Sequence, residues 1–386
     1  MILLLHLVLL AMRPPAPGLA AGKLEVGVEA NIPVPSLIWS FDGDTEQVSS
    51  VLPDSEATHL ISRFGFVEGP PRGPRYLAFD RGAQASCAVA LDSAATVLST
   101  GMGRIAVLTA TKVDGLDEHC QVRFSHPAES AAVLLDGSVL AVADQEHVFF
   151  LDSAGKKRDS ARLRGAPILV AAADGGNLLA ATKRSVSVFD PWGRRLGRIE
   201  TRQNHVTHSI AAGPDRIYLG AGNQVASHAL DGALLWTEKL GPDPAQAADG
   251  VEVTGLWAWP DGRGVLVAIA ESKPGRHQAV RGRHLEAHDP AGGVRWRLPL
   301  GEAQEQGVIE VAFASESGDV AVTAIDGERG RAHRASIFIL TPDGRIRGLL
   351  QITAETRTGG ARLSSRGRYL LVNTTDSGLL RLYTAP

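Results

Sequence analysis

The strongest constraint on this chain is a unit of four short apolar runs that returns about every forty residues. In residues 208–240, HSIAAGPDRIYLGAGNQVASHALDGALLWTEKL, the runs predict strands over Ser209–Ala212, Arg216–Gly220, Gln224–Leu230 and Ala233–Leu240. Turns at Pro214-Asp215, residues 220–223 and Asp231-Gly232 separate them. An Asp-Gly pair between two apolar runs is a strong hairpin signal, because both positions tolerate the positive φ that a tight turn needs. The unit reads as a four-stranded antiparallel meander. It recurs in residues 131–163 and 167–200. The aspartate opening the last turn is read at Asp152, Asp190, Asp231 and Asp289, with Thr341 in its place next, giving steps of about 38, 41, 58 and 52 residues. Four strands per period of this length specify an all-β chain arranged as a β-propeller. One such sheet cannot bury both of its faces, so the blades stack radially and bury each other's.

Taken in order, the chain offers a first clear blade at residues 86–124 and further blades starting at Ala131, Pro167, Ser209, Val251 and Val308. The last segment, from Ala361, supplies three strands where four are needed. An N-terminal strand is expected to complete that sheet and remove the open edge. Arg75–Asp80 is the first choice and Ser36–Phe41 the competitor. With the first choice there are seven four-stranded blades; with residues 32–80 as a blade of their own there are eight, and seven is the preferred count. The expected division is residues 1–22 as a signal peptide, 23–84 as an N-terminal extension supplying the closing strand, and 85–386 as the propeller.

The signal peptide rests on the apolar run Ile2–Met12, too short to span a bilayer, followed by small residues at 20–22. Its n-region carries no Lys or Arg. The expected location is therefore the periplasm or the outside, without a transmembrane segment. A net charge of -3 gives no bulk attraction to nucleic acid or to a membrane. The two cysteines are Cys87 and Cys120. In this register they begin the inner and outer strands of one blade, about 14 Å apart by strand spacing. An even count in an exported protein permits a disulfide, but the bond needs Cα atoms within about 7 Å, so this register favours the alternative of two separate buried thiols.

The turn Asp-x-x-Gly followed by a tryptophan, seen at Asp231-Gly232 with Trp236 and at Asp289 with Trp296, resembles the PQQ-like β-propeller repeats. Asp152 to Gly155 and Asp190 to Gly193 keep the turn without the tryptophan. The resemblance covers most of the chain from Ser86, at repeat level, within the broader PQQ-like and WD40-like repeat superfamily. The Gly-His and Trp-Asp signature of WD40 repeats is missing. The resemblance implies either a quinoprotein dehydrogenase, with quinone and calcium, or a non-enzymatic assembly factor. No calcium loop or vicinal cysteine pair points to the enzymes, and no cofactor is expected.

Nucleophile elbows, Walker loops and zincin motifs are missing too. Ser153 and Lys156 match Ser-x-x-Lys inside a hairpin turn, where chance is sufficient explanation. His205 and His208 form a weak metal candidate that lacks a further ligand. His284 and His288 lie about 13 Å apart on one strand, too far to share a metal. Trp257 and Trp259 alternate along an inner strand, so both face one neighbouring blade and read as core. Two insertions carry the clearest functional signal. Residues 271–283 in blade five and 325–334 in blade six both lie between second and third strands, hence on one rim of neighbouring blades. They bring Arg276, His277, Arg281, Arg283, Arg329, Arg331, His333 and Arg334 into one cationic patch, against two solvated loops as the plainer reading. The expectation is an exported, monomeric, non-enzymatic module binding a protein or an anionic polymer through this rim. The alternative is a propeller enzyme with a central-channel site, either a quinoprotein-like oxidoreductase or a hydrolase or lyase acting on a sugar polymer.

Overall fold

The structure is a computed structural model. Residues 1–31, 33–35, 42–45, 54–56, 66–74, 81–84, 92–94, 100–103, 118, 136–137, 173–175, 202–208, 242–249, 273–279, 305–307, 315, 327–332, 355–357, 365 and 375–379 lie outside the described residues. Up to residue 88, and again over 92–105, the description is of backbone pairing alone.

The described residues form strands and turns grouped into eight four-stranded antiparallel sheets. Seven are continuous meanders, in residues 46–90, 95–127, 130–162, 168–200, 209–239, 251–304 and 308–354. The eighth contains the last three strands of the chain, within 358–384, and takes its fourth from Ser36–Phe41. That strand runs antiparallel to Leu380–Thr384. The preferred count of seven thus gives way to eight, because residues 46–90 contain four strands of their own. Arg75–Asp80 is the third strand of that first sheet, not the strand added to the last one. The boundary expected at residue 84 falls inside the same sheet, just before its fourth strand at Ala85–Ala90. Blades five and six of the sequence reading are the sixth and seventh sheets. A chain lacking residues 36–41 would leave Leu380–Thr384 as an open edge. Its melting temperature is expected to fall by about 5 °C, with new light scattering at the transition; an unchanged melt would contradict the pairing.

Packing follows the two-residue period of a strand. In Val265–Ser272 of the sixth sheet, Val265, Val267 and Ile269 pack against the fifth sheet, whereas Leu266 and Ala268 pack against the seventh. Both faces of this second strand are therefore apolar, and the core is a series of seams between sheets. Trp259 is fully buried in the seam with the seventh sheet and donates to the Gly318 carbonyl at 3.3 Å. Trp257 packs on the same cluster, as its spacing predicts.

A single detail repeats in each meander. The third and fourth strands carry a bulge at one fixed place, for example between Phe150 and Leu151, Val188 and Phe189, and Ala287 and His288. The turn between these strands opens on a residue whose carbonyl accepts from the N–H three residues on, as in Gly155 to Asp152 and Gly292 to Asp289. The opening aspartate also caps the turn: Asp152 Oδ1 accepts from Ala154 and Lys156 at 2.9 Å, and Asp289 Oδ1 from Ala291 and Gly293 at 2.8 and 2.9 Å. In the fifth sheet this place belongs to Ala229, whose carbonyl accepts from Gly232. Asp231 is two residues further along the turn, which corrects the series Asp152, Asp190, Asp231, Asp289 by two positions. Hairpin chemistry alone could not separate the two alignments, since Asp-Gly suits either.

In the second to sixth sheets, the residue seven past the opening one meets the turn of the following sheet. Trp236 and Trp296 donate their indole N–H to the Pro290 and Pro342 carbonyls at 3.0 and 3.2 Å. Their rings cover Gly292 and Gly344, and Phe124 covers Gly155 in the same way. Where this residue is Gly197, the backbone of Leu230 and Asp231 comes up against it directly. Ring size on one sheet is thus matched to turn position on the next. We refer to each such pair as a latch.

The cysteines follow from this corrected register. Cys87 lies on the fourth strand of the first sheet, paired opposite Ala78, and Cys120 lies in the last turn of the second sheet. Cys120 is disulfide-bonded, and Cys87 is the one other cysteine in the chain. The expectation of separate thiols is overturned. It placed both residues three strands apart in one blade, whereas they belong to neighbouring sheets that touch.

Candidate functional site

Among the described residues, the second and third strands of the sixth and seventh sheets pair over more positions than those of any other sheet. Val265–Ser272 pairs with Val280–His288 through eight positions, and Val320–Asp326 with His333–Leu340 through seven, against four between Leu178–Ala181 and Ser185–Phe189. The first, third and fifth sheets pair these strands over six positions, so the two hairpins reach one or two pairs further, about 3–7 Å, than the next longest. Adjacent sheets thus carry two hairpins on the same rim.

Of the eight rim residues, Arg283 is resolved in most detail. Its side chain is 6 % exposed and donates to the Ile325 carbonyl of the neighbouring hairpin at 3.1 Å. It is therefore a clasp between the two hairpins and not a solvent-facing cation, which corrects its place in the expected patch. Arg281 precedes it by two residues on the same strand face, paired opposite Ser272. Arg334 is paired opposite Asp326 and His333 opposite Ala354, at the base of the second hairpin. Arg276, His277, Arg329 and Arg331 lie outside the described residues, as do His205 and His208. The Arg283 bond brings the bases of the two insertions side by side, as the equivalence of their positions in the repeat requires.

The opposite face of the same strand holds a feature the sequence reading missed. His284, Glu286 and His288 alternate with Leu285 and Ala287, so they share a face and enter the seam with the fifth sheet. Glu286, 3 % exposed, lies between them: its carboxylate is 3.4 Å from His284 Nε2 and 3.0 Å from His288 Nε2, and it accepts from Arg297. His288 is fully buried, and its Nδ1 faces the Glu238 carboxylate at 3.0 Å and the Gly292 carbonyl at 3.3 Å. The charged contact is the shorter of the two. Trp236, the latch residue of the fifth sheet, lies nearly parallel to the His288 ring. His284 Nδ1 stands 3.7 Å from Glu271, at the foot of the sixth-sheet hairpin. Acid and base thus alternate from the rim to the opposite turn.

The electrostatics follow from burial and pairing. Burial by itself would lower the His288 pKa, but hydrogen bonds to Glu238 and Glu286, and their charges, raise it to about 9. Burial would raise Glu286, yet the hydrogen bonds from His284 and His288 and the Arg297 charge hold it well below the usual carboxylate range. Glu286 and His288 are therefore both charged at neutral pH. Both histidines converge on one carboxylate, so their four-residue separation, too long for a shared metal, suits a bridging acid. Among the described residues no group of three or more His, Cys, Asp or Glu side chains is arranged to hold a metal. The legible signal was His-Leu-Glu-Ala-His within a strand: charged residues at every second position mark a buried ionic face when the strand is central.

The architecture superposes on the C-terminal WD40 domain of Sif2 with a TM-score of 0.62, covering 92 % of this chain and 99 % of that one at 10 % identity. The fold is that of a WD40-like β-propeller. No family model matches the sequence, and no curated protein does. In all, 854 solved chains match the propeller, so the likeness specifies architecture and leaves chemistry to the particular rim. No helix among the described residues is long and apolar enough to cross a membrane.

Proposed function

We propose that this propeller is an exported protein-interaction module that binds an acidic protein surface or anionic polymer through the paired hairpins of its sixth and seventh sheets. The observation that carries the reading is the Arg283 clasp onto Ile325, which fastens the bases of the two longest second-to-third hairpins together. Arg276, Arg281, Arg329, Arg331 and Arg334 fall within or at the ends of these insertions, with His277 and His333 beside them. Guanidinium groups on adjacent projecting hairpins suit carboxylates and phosphates, which they bind in a two-pronged geometry. WD40-like propellers present protein partners on such rims, which supports the general reading. Export is supported by the disulfide-bonded Cys120, a modification of oxidising compartments, and by the apolar run at residues 2–12.

The test is binding to immobilised polyglutamate and capture of partners from native cell envelope. Reversing Arg276, Arg281, Arg329 and Arg331 to glutamate removes four rim cations while keeping Arg283. Binding is expected to weaken about tenfold or more at low salt, with a shallower salt dependence and an unchanged melting temperature. Equal binding by the wild type and the charge-reversed variant would place the site elsewhere on the ring.

A further inference from the structure

The seam between the first and second sheets uses the two latch positions of the other seams with different chemistry. In the second, fifth and sixth sheets the residue seven beyond the turn opening is Phe124, Trp236 or Trp296, and each meets a glycine of the next turn. The first sheet has the same bulge, between Ala78 and Phe79, which sets Asp80 as its opening residue and Cys87 seven residues on. Cys87 opposite Ala78 is thus the counterpart of Trp296 opposite Ala287. In the second sheet, Asp117 opens the turn and Cys120 N–H donates to its carbonyl at 2.9 Å, as Gly155 N–H does to Asp152 at 2.8 Å. Cys120 has φ 61°, in the left-handed region where Gly155, Gly193, Gly232, Gly292 and Gly344 have φ 77–96°. A left-handed cysteine is unfavourable without a compensating bond. Cys120 is buried and disulfide-bonded.

We infer that the Cys87–Cys120 disulfide is the covalent member of this latch series, so that the redox state of the pair sets how firmly the first sheet is held to the second. The exchange replaces a ring on a glycine by a bond between the same two positions. Reduction takes two electrons from an added dithiol, which itself becomes a disulfide, and leaves two thiols in place of the bond. The reduced seam then has a small side chain where the second, fifth and sixth sheets have an aromatic ring. The first sheet is bordered on its other side by the eighth. That sheet's fourth strand comes from the N-terminal region and repeats the bulge, with Trp39 at the latch position. Loosening the disulfide therefore frees a unit held on its other side by non-covalent contacts.

The experiment compares thermal melts and hydrogen exchange of the full chain with and without dithiothreitol, with thiol titration to verify reduction. Reduced wild type is expected to melt about 5 °C lower, with faster exchange in Arg75–Asp80 and Ala85–Ala90. Two variants separate a latch from a generic cross-link. Cys87→Ala/Cys120→Gly relieves the backbone and leaves the latch empty. Cys87→Phe/Cys120→Gly rebuilds the Phe124–Gly155 pair in its place. The first is expected to resemble reduced wild type in either buffer, and the second to recover at least half of the lost melting temperature in both. Equal melts for the two variants, or a fully reduced wild type as stable as the oxidised protein, would overturn the inference.

Discussion

Glu286→Gln is expected to destabilise the propeller by about 3 kcal/mol, since removing one partner of a buried ionic group strands the others. Glutamine keeps the size of the side chain, so packing is preserved and the loss reports charge. His288, fully buried, would retain only Glu238 as a counter-ion. The wild-type pH dependence has a definite sign. The His288 pKa is raised from near 6.5 to about 9 on folding. Its contribution is therefore fully present below pH 6.5 and is lost as pH rises through 9. At 1.36 kcal/mol per unit the alkaline decline is about 3 kcal/mol. Glu286 acts in the opposite sense. Its folded pKa is depressed, so its contribution is present above about 4.5, its ordinary value, and is lost as pH falls through the folded one. Urea denaturation of wild type, Glu286→Gln and His288→Gln between pH 3 and pH 10 checks both claims. The wild type should lose stability between 6.5 and 9, and His288→Gln should be flat over that window. A wild-type curve parallel to that of His288→Gln would refute the pairing.

The second large effect concerns the latch at Gly344. This residue has φ 88°, and a Cβ there would lie 2.5 Å from Cγ of Trp296, which is 2 % exposed. Gly344→Ala thus adds backbone strain of about 1 kcal/mol to a ring clash of about 1–3 kcal/mol. Gly301 provides the control, with φ 77° and no atom within 4 Å of the added carbon. Gly301→Ala should cost about 1 kcal/mol, from strain alone. Trp296→Ala should cost about 3–5 kcal/mol, because it removes a buried ring and its hydrogen bond to Pro342. In the double variant the clash has no ring to meet, so the two losses should sum to less than their separate values. Additive losses, measured by chemical denaturation, would show that the ring does not press on this turn.

The fold was legible wherever a blade was a tight meander with short turns. The strands read at Ser209–Ala212, Arg216–Gly220 and Gln224–Leu230 appear at Ser209–Ala212, Arg216–Ala221 and Gln224–Ala229. Residues 46–90 were not legible because Pro53, Pro70, Pro71 and Pro74 interrupt the apolar pattern, though Asp80 and Asp117 continue the series of turn openings backwards. Losing that sheet shifted the next blade by one strand and separated the cysteines on paper. The rim insertions were visible as departures from the period. The ionic row showed only as the alternation His-Leu-Glu-Ala-His, because nothing in His284, Glu286 and His288 states which neighbour their face meets.

By itself, then, the sequence determined the architecture. A forty-residue period and two-residue alternation are local properties, and a meander with two apolar faces has no stable solution other than stacking on its copies. Tertiary structure decided what each face encounters. It set Cys87 beside the turn of Cys120, laid Trp296 on Gly344, sent Arg283 to Ile325, and placed Glu238 of one sheet against His288 of the next. These contacts join residues about 30 to 50 apart, at the distance of one repeat. A shift of one strand or two residues in aligning the repeats changes every partner, while the pattern along the chain stays the same.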